Sequence, residues 1–422
     1  ELAATLRAGS ALTCLKLQHN GLADVSAIQI AEAVGASAEA GRKLPLKRLL
    51  LHHNRIGDKG AAHLARALQG LESPPPPKAF DSGEARPARA GGCTLQVLKL
   101  SGCELNASAL ARLRVFLQSR AWARSLHTLE LSECPLGSKG TEIIESFVGN
   151  SRALKTLRIA DCSLSTTPIF NALASNEHAA QSLTLLDASG NGLDSMAGEA
   201  LGDFLQVSMS IRGLLLRRTS PDAQSLRFLL SKACSNIHNE RGRHAESRDE
   251  SFVMDLDLSE NKFGTSHVDS IARTLSSVAM RDGCFPFRQL LLNDCSLGPK
   301  GVSTLCDALS HCAPRVLQSL SFERNCHLGL YEKMSGTSAF RELSSSLAFA
   351  ITTPGFGLRA LYLAGDGNQH TLSEFLPPAV VALARNSTLQ VLDVRDNKAG
   401  AELGHSLGKA LAAKSTLLEL QV

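Results

Sequence analysis

The apolar residues of this chain follow a pattern that changes period within each unit and then begins again. In the stretch 44–70, LPLKRLLLHHNRIGDKGAAHLARALQG, Leu49 and Leu51 lie two residues apart, and Asn54 and Ile56 follow three and five residues after Leu51. A spacing of two indicates a β-strand. The apolar positions 61, 64, 65 and 68 then have the spacing of an amphipathic helix. The stretch therefore predicts a strand, a turn and a helix, in that order.

The same order, L-x-x-L-x-L-x-x-N/C-x-L, recurs along the chain in twelve copies of varying completeness, and a thirteenth begins at Leu417. After the predicted strand, ten copies have Asn or Cys and two have Thr or Asp. These positions are Asn20, Asn54, Cys103, Cys134, Cys162, Asn191, Thr219, Asn261, Cys295, Asn325, Asp366 and Asn397. One unit of this size cannot bury its apolar face alone, so neighbouring units must stack. The repeat predicts an α/β leucine-rich repeat solenoid, a horseshoe with parallel strands on its concave face and helices on its convex face.

The repeats are expected to form one array over residues 1–422, with about 12–13 units. Insertions are expected at 71–94, 236–251 and 327–340, outside the stack. The first contains four consecutive prolines, which suit either a proline-reading partner or a disordered excursion. Solenoids need capping units at both ends, and the sequence starts at Glu1 and stops within a predicted strand. We therefore expect it to be part of a longer protein.

Composition and motifs argue against several classes of function. The 44 basic and 40 acidic residues leave a net charge of +4, so no nucleic-acid or membrane surface is predicted. Eleven scattered cysteines are typical of reduced, cytoplasmic thiols rather than a disulfide scaffold. No phosphate-binding loop, G-x-S-x-G or H-E-x-x-H motif is present, and no Cys or His spacing fits zinc. We expect no enzyme activity, no cofactor and no metal.

The concave face is where a binding site is predicted. Between the last two leucine positions of each strand, one residue points into the hollow, and two more follow before the Asn or Cys position. Apolar or aromatic residues flanked by arginines there are typical of protein-binding hot spots, although they also serve simply to fill strands. The candidate protein-binding residues are His52, His53, Leu215, Arg217, Arg218, Leu291, Arg324 and Tyr362. Because charges of both signs line this face, the expected partner is a protein rather than a nucleic acid.

Two stretches carry a family resemblance. Units such as NRIGDKGAAHLARAL resemble the ribonuclease-inhibitor-like class of leucine-rich repeats. The segments 342–352, 358–368 and 375–422 resemble the last repeats of CARMIL proteins, the regulators of actin capping protein. This resemblance implies a cytoplasmic scaffold within a cytoskeletal regulator that binds an actin-regulatory protein. CARMIL proteins place a pleckstrin-like domain before the repeats and a capping-protein-binding motif after them. Neither is in this sequence, so no functional residue is carried over.

Two alternatives from other classes remain open. Ran GTPase-activating proteins are built from similar repeats, but they typically end in an acidic tail, and no acidic run is present here. A ribonuclease inhibitor or the sensing region of an innate receptor is the other alternative. Ribonuclease inhibitors are rich in tryptophan and acidic residues, whereas this chain has one tryptophan and nearly balanced charge.

Overall fold

The structure is a computed structural model. It describes residue 4 and residues 11–39, 46–70, 95–236, 253–279, 285–312, 315–325, 338–367, 376–397, 400–413 and 416–422. The insertion predicted at 71–94 lies outside the described residues, as do nearly all of 236–251 and most of 327–340. Ser338–Thr352 is a helix, so the last three residues of the third predicted insertion belong to it.

The chain divides into two compact units, Glu1–Asn191 and Gly192–Val422. In each unit, neighbouring strands along the chain pair in parallel, in sequence order. The strands of the first unit are β1 Cys14–Lys16, β2 Arg48–Leu50, β3 Val97–Lys99, β4 Thr128–Glu130, β5 Thr156–Arg158 and β6 Leu185–Asp187. Those of the second are β7 Gly213–Leu215, β8 Met254–Asp257, β9 Phe287–Leu291, β10 Ser319–Ser321, β11 Ala360–Tyr362, β12 Val391–Asp393 and β13 Glu419–Gln421.

Helices connect the strands, as parallel pairing requires. Those of the first unit are α1 Asp24–Glu39, α2 Asp58–Gly70, α3 Ala107–Leu117, α4 Arg120–Ser125, α5 Gly137–Asn150, α6 Thr166–Ser175 and α7 Glu177–Ser182. Those of the second are α8 Ser195–Val207, α9 Ala223–Cys234, α10 Thr265–Ala279, α11 Gly298–Cys312, α12 Ser338–Thr352, α13 Leu376–Val381, the 3₁₀ helix Ala382–Arg385 and α14 Gly400–Ala412. None of the described helices is long and apolar enough to cross a bilayer.

The repeat leucines form the core of both units. The central leucines of β2, β4 and β8, namely Leu49, Leu129 and Leu256, are at most 2% exposed. Larger side chains fill the space between helices, among them Trp122 and Phe147, which are fully buried. The predicted α/β leucine-rich repeat architecture is therefore confirmed, with strands and helices where the change of period placed them.

The Asn and Cys positions stabilise the turn that follows each strand. The Asn54 amide donates to the carbonyl oxygens of Leu17, at 2.9 Å, and Leu51, at 2.7 Å. Its carbonyl oxygen accepts from the backbone N–H groups of Asn20 and Leu22. At a cysteine position only the donor role has a side-chain equivalent: the Cys162 thiol donates to the Leu131 carbonyl at 3.1 Å. These residues therefore pair backbone groups that are buried in the turn.

The residue immediately before most of these positions has left-handed backbone geometry. His19, His53, Glu133 and Arg218 have φ between 52° and 59°. This conformation turns the chain out of the strand, although residues other than glycine, asparagine and aspartate rarely adopt it. Because these four residues share this backbone geometry, each repeat that contains one of them holds a polar side chain at the same place.

Candidate binding surface

Strand residues that alternate with the buried leucines define a second face of each sheet, which we call the open face. In the first unit the open-face positions, each the last residue of its strand, are Lys16, Leu50, Lys99, Glu130, Arg158 and Asp187. In the second unit they are Leu215, Asp257, Leu291, Ser321, Tyr362 and Asp393. The register aligns these positions strand by strand, so each set forms a continuous row.

Exposure along these rows is uneven. Leu50 is only 6% exposed, and Ser321 and Asp393 are almost completely buried. Leu50 is therefore shielded from solvent, although it lies on the same face of its strand as the accessible residues. Leu50 lies in register between Lys16 and Lys99, and side chains on strands about 4.8 Å apart cover one another. Leu215, Leu291 and Tyr362 are half-buried and keep part of their apolar surface accessible.

A chain of alternating charges crosses the open face of the first unit. The Lys99 ammonium lies 2.9 Å from the Glu130 carboxylate, and the Arg158 guanidinium lies 3.6 Å from the same carboxylate. Arg158 also pairs with Asp187 at 3.4 Å. These charges neutralise one another along the row, which leaves no single-sign groove there.

Three histidine rings cluster beside this row, and we call His19, His52 and His53 the histidine patch. The rings of His19 and His53 stack, with centroids 4.5 Å apart and an interplanar angle of 19°. His52 contacts both edge-on, at 5.7 Å and 5.5 Å. Gly102 leaves the space for His53, because a Cβ there would lie 2.3 Å from its Nδ1 atom.

In the second unit, two arginines converge on one carboxylate. Arg217 and Arg218 both hydrogen-bond to Glu260, the latter at 2.8 Å. The hydrogen bonds from Arg218 and Arg217 lower the pKa of Glu260 below its usual range. Both guanidinium groups are partly exposed, so the pair forms an ordered, cationic edge two to three residues beyond Leu215.

Tyr362 lies in a group of charges further along the same open face. Burial, and then the nearby carboxylates of Glu419, Asp393 and Glu323, raise its pKa above the usual value. Arg395 makes a bidentate contact with Asp393, with its Nη2 atom 2.7 Å from Oδ2 and its Nε atom 3.0 Å from Oδ1. Burial, followed by the charge of Asp393, also raises the pKa of Glu323. The phenol ring is thus held among fixed charges.

The structure brings some of the predicted binding residues together and leaves others apart. Arg217 and Arg218 share Glu260, while Leu215, Leu291 and Tyr362 occupy every second position of one row. Arg324 lies beside Asp294, at 4.0 Å, rather than in the row. His52 and His53 belong to the first unit, whereas the other predicted residues belong to the second.

Sequence reasoning omitted His19 from the candidate residues. Its signal was present in the sequence, because His19 directly precedes Asn20 just as His53 directly precedes Asn54. No group of three or more His, Cys, Asp or Glu residues is placed to hold a metal ion within the described part of the chain.

The chain is similar to one family model and to several known proteins. A family model described as Leucine Rich repeat matches residues 44–65. Ribonuclease inhibitor from Sus scrofa is 24% identical over 408 residues, which cover 96% of this chain and 75% of that protein. Protein CARMIL from Dictyostelium discoideum is 24% identical over 424 residues, covering 99% of this chain and 35% of that protein. An internalin structure from Listeria monocytogenes superposes with a TM-score of 0.42 at 12% identity, covering 100% of this chain and 94% of that one.

The recurring sequence pattern and the parallel strands joined by helices give this chain a leucine-rich repeat fold. It is similar in sequence to ribonuclease inhibitor and to CARMIL along nearly all of its length.

Proposed function

We propose that this chain is a non-catalytic scaffold that binds protein partners through the open faces of its units. The row Leu215, Leu291 and Tyr362, with Arg217 and Arg218 at its edge, is the observation that supports the proposal most directly. Tyrosine and arginine are enriched at the energetic centres of protein interfaces, and apolar surface between polar residues is their usual setting. The ion pairs already restrict the two arginine side chains, so less conformational entropy is lost when a partner binds.

Within this class, we propose a CARMIL-like regulator of actin capping and cytoskeletal assembly, with an actin-regulatory protein as partner. The similarity to CARMIL over 99% of this chain supports this assignment. The chain aligns with about a third of the length of CARMIL, and the rest of that protein lies outside the alignment. A cytoplasmic location follows from the same proposal.

The test is a double variant, Arg217→Ala with Tyr362→Ala, compared with the native chain. Removing two hot-spot side chains should weaken capture of its partners at least tenfold, since each typically contributes more than about 1 kcal/mol to binding. The control is Arg273→Ala, an 84% exposed arginine on helix α10 in the same unit. Quantitative mass spectrometry of captured proteins provides the measurement. Unchanged capture of every partner by the double variant contradicts the open-face proposal, and loss of partners that are all unrelated to actin contradicts the finer assignment.

A ribonuclease-inhibitor-like function is the second candidate, because the similarity to that protein covers 96% of this chain. An assay of ribonuclease activity with increasing amounts of this chain distinguishes the two. Stoichiometric inhibition supports the second candidate, whereas unaffected activity supports the scaffold.

A further inference from the structure

The edge at which the strands of the first unit begin carries a set of exposed basic side chains. We call this set the basic edge, and its members are Lys47, Arg48, Arg124, Arg152 and Lys155. Lys47 and Lys155 directly precede strands β2 and β5, and Arg48 is the first residue of β2. Arg124 lies in the last turn of helix α4, and Arg152 follows the end of helix α5. All five side chains are positively charged at neutral pH.

Backbone hydrogen bonds between consecutive repeats bring three of these cations to one place. The Lys155 N–H donates to the His127 carbonyl at 2.7 Å, and the Arg152 N–H donates to the Ala123 carbonyl at the same distance. Arg152 therefore lies next to the end of the helix that carries Arg124. Burial, followed by the charge of Lys155, lowers the pKa of His127 below its usual value. The positive charges of two repeats are thus collected around one half-buried imidazole.

The described part of the first unit supplies no counter-charge to this edge. Within the described residues, none of the five cations forms an ion pair. The carboxylates of Glu130 and Asp187 lie at the opposite ends of their strands and are paired with cations of the open face. The second unit provides a contrast, because Arg288 of β9 has its Nη2 atom 2.6 Å from the Oδ2 atom of Asp255 in the adjacent strand. The basic edge of the first unit lacks such an acidic neighbour.

We propose that the basic edge is a docking surface for an extended segment of a protein partner that is rich in aspartate and glutamate. Complementary charges speed the encounter of two proteins and select against wrong partners. Arginine suits this role, because its planar guanidinium group can donate two parallel hydrogen bonds to one carboxylate. The dimensions also fit. Lys47 and Lys155 are three strand spacings apart, or about 14 Å, and about five residues of an extended segment cover that length.

The scarcity of apolar surface at this edge favours an acidic protein segment over a membrane or a nucleic acid. Basic surfaces that bind membranes also insert residues such as Trp, Phe and Leu. In the described part of the first unit the large apolar side chain that is exposed is Val25, which lies in the first turn of helix α1, after a strand rather than before one. Single-stranded nucleic acids stack their bases on aromatic rings, and Trp122, close to Arg124 in helix α4, is fully buried.

The first experiment measures binding of a peptide of about ten residues, alternating glutamate and serine, by the fluorescence anisotropy of an uncharged dye. The test variant combines Arg124→Gln, Arg152→Gln and Lys155→Gln. It should bind the peptide roughly tenfold more weakly than the native chain, since each exposed ion pair changes affinity by up to about fivefold. Raising the salt concentration from about 50 mM to about 300 mM should weaken binding by the native chain, because salt screens exposed charges. A matching lysine–serine peptide should not bind.

The control variant removes the same number of charges from the same unit, at exposed positions on helices. It combines Lys59→Gln, Arg66→Gln and Arg112→Gln, which lie on helices α2 and α3. Because both variants have the same net charge, any general attraction between the chain and the peptide falls equally in both. The control should bind within about twofold of the native chain. Circular dichroism establishes that each variant is folded.

Carbodiimide coupling, which joins a carboxylate to a neighbouring lysine through an amide bond, shows where the peptide binds. The peptide should couple to Lys47 and Lys155 of the native chain. It should not couple to Lys59 and Lys139, which are exposed on helices α2 and α5. Mass spectrometry of proteolytic fragments identifies the coupled lysines.

Weaker binding in the test variant alone, with coupling at the basic edge, is the expected result. The inference is overturned if the native chain does not bind the peptide, if both variants weaken equally, or if coupling occurs at the helix lysines instead. Binding to phosphatidylserine vesicles or to oligothymidylate without binding to the peptide also overturns it. The inference does not depend on the open-face proposal, which the Arg217→Ala and Tyr362→Ala variant tests separately in the second unit.

Discussion

Replacing Asn261 with alanine tests the physical role of the asparagine positions. The Asn261 side chain is 1% exposed. Its amide donates to the carbonyl oxygens of Leu216, at 2.9 Å, and Leu258, at 2.7 Å. Its carbonyl oxygen accepts from the N–H groups of Thr219 and Ser220, both at 2.8 Å. The substitution Asn261→Ala removes these four bonds together with two longer ones, to the Ser259 carbonyl and from the Thr219 hydroxyl.

The contacts that remain in Asn261→Ala show which backbone groups keep a hydrogen-bond partner and which lose one. The Leu216 carbonyl keeps a bond from the Thr219 hydroxyl at 2.9 Å, and the Leu258 carbonyl keeps one from the Cys295 thiol at 3.2 Å. The two backbone N–H groups lose their acceptor. Ser220 is exposed and can bind water instead, whereas Thr219 is 2% exposed. An unsatisfied buried donor costs about 1–3 kcal/mol, and we expect a loss of stability within that range.

Hydrogen exchange read by mass spectrometry suits this measurement, because chains with more than one unit need not unfold in a single step. Peptides containing Thr219 should exchange faster in Asn261→Ala, at a rate that corresponds to the lost free energy. Asn261→Cys should lose less, because a thiol still donates to a carbonyl, as Cys295 does. Asn150→Ala, which removes an exposed side chain, should change stability by less than about 0.5 kcal/mol. Unchanged exchange around Thr219 in Asn261→Ala would refute the reasoning.

Three further outcomes are expected. Leu256→Ala removes a fully buried core leucine and should lower the free energy of unfolding by about 2–5 kcal/mol in denaturant titrations. Burial raises the pKa of the Cys134, Cys162 and Cys295 thiols to about 12. Thiols in the unfolded chain ionise near pH 9, so stability should hold below that pH and fall between about 9 and 12. Thermal melts that do not change over that range would contradict this. Glu260→Gln should cost less than about 1 kcal/mol, because its ion pairs are partly exposed; a larger loss in the same titrations would contradict that estimate.

The architecture was predictable from the sequence because it depends on periodicity. Leu49 lies in a strand, as its spacing predicted, and helix α2 contains the apolar positions 61, 64, 65 and 68 whose spacing predicted a helix. Asn54 and Cys162 lie directly beyond the strands, as the repeat predicts, and there they donate hydrogen bonds to backbone carbonyl groups. A repeat solenoid allows this because each element contacts mainly its neighbours in sequence.

The details of the open face were less predictable, because they depend on side-chain neighbours in adjacent repeats. Leu50 is buried, and Arg217 and Arg218 are tied to Glu260, which is 42 to 43 residues away in the chain. The stacking of His19 on His53 requires both the left-handed backbone and the absence of a side chain at Gly102. A repeat template fixes which residues share a row, but not how their side chains pair.

Site-specific photo-crosslinking tests the central claim, that partners bind the open face, most directly. A photoreactive amino acid at Leu291 places the probe in the open-face row of the second unit, and one at Phe349, 49% exposed on helix α12, places it among the helices. We expect partners to crosslink at position 291, and we expect the double variant Arg217→Ala with Tyr362→Ala to abolish this crosslinking. Crosslinking at position 349 with none at position 291 would contradict it.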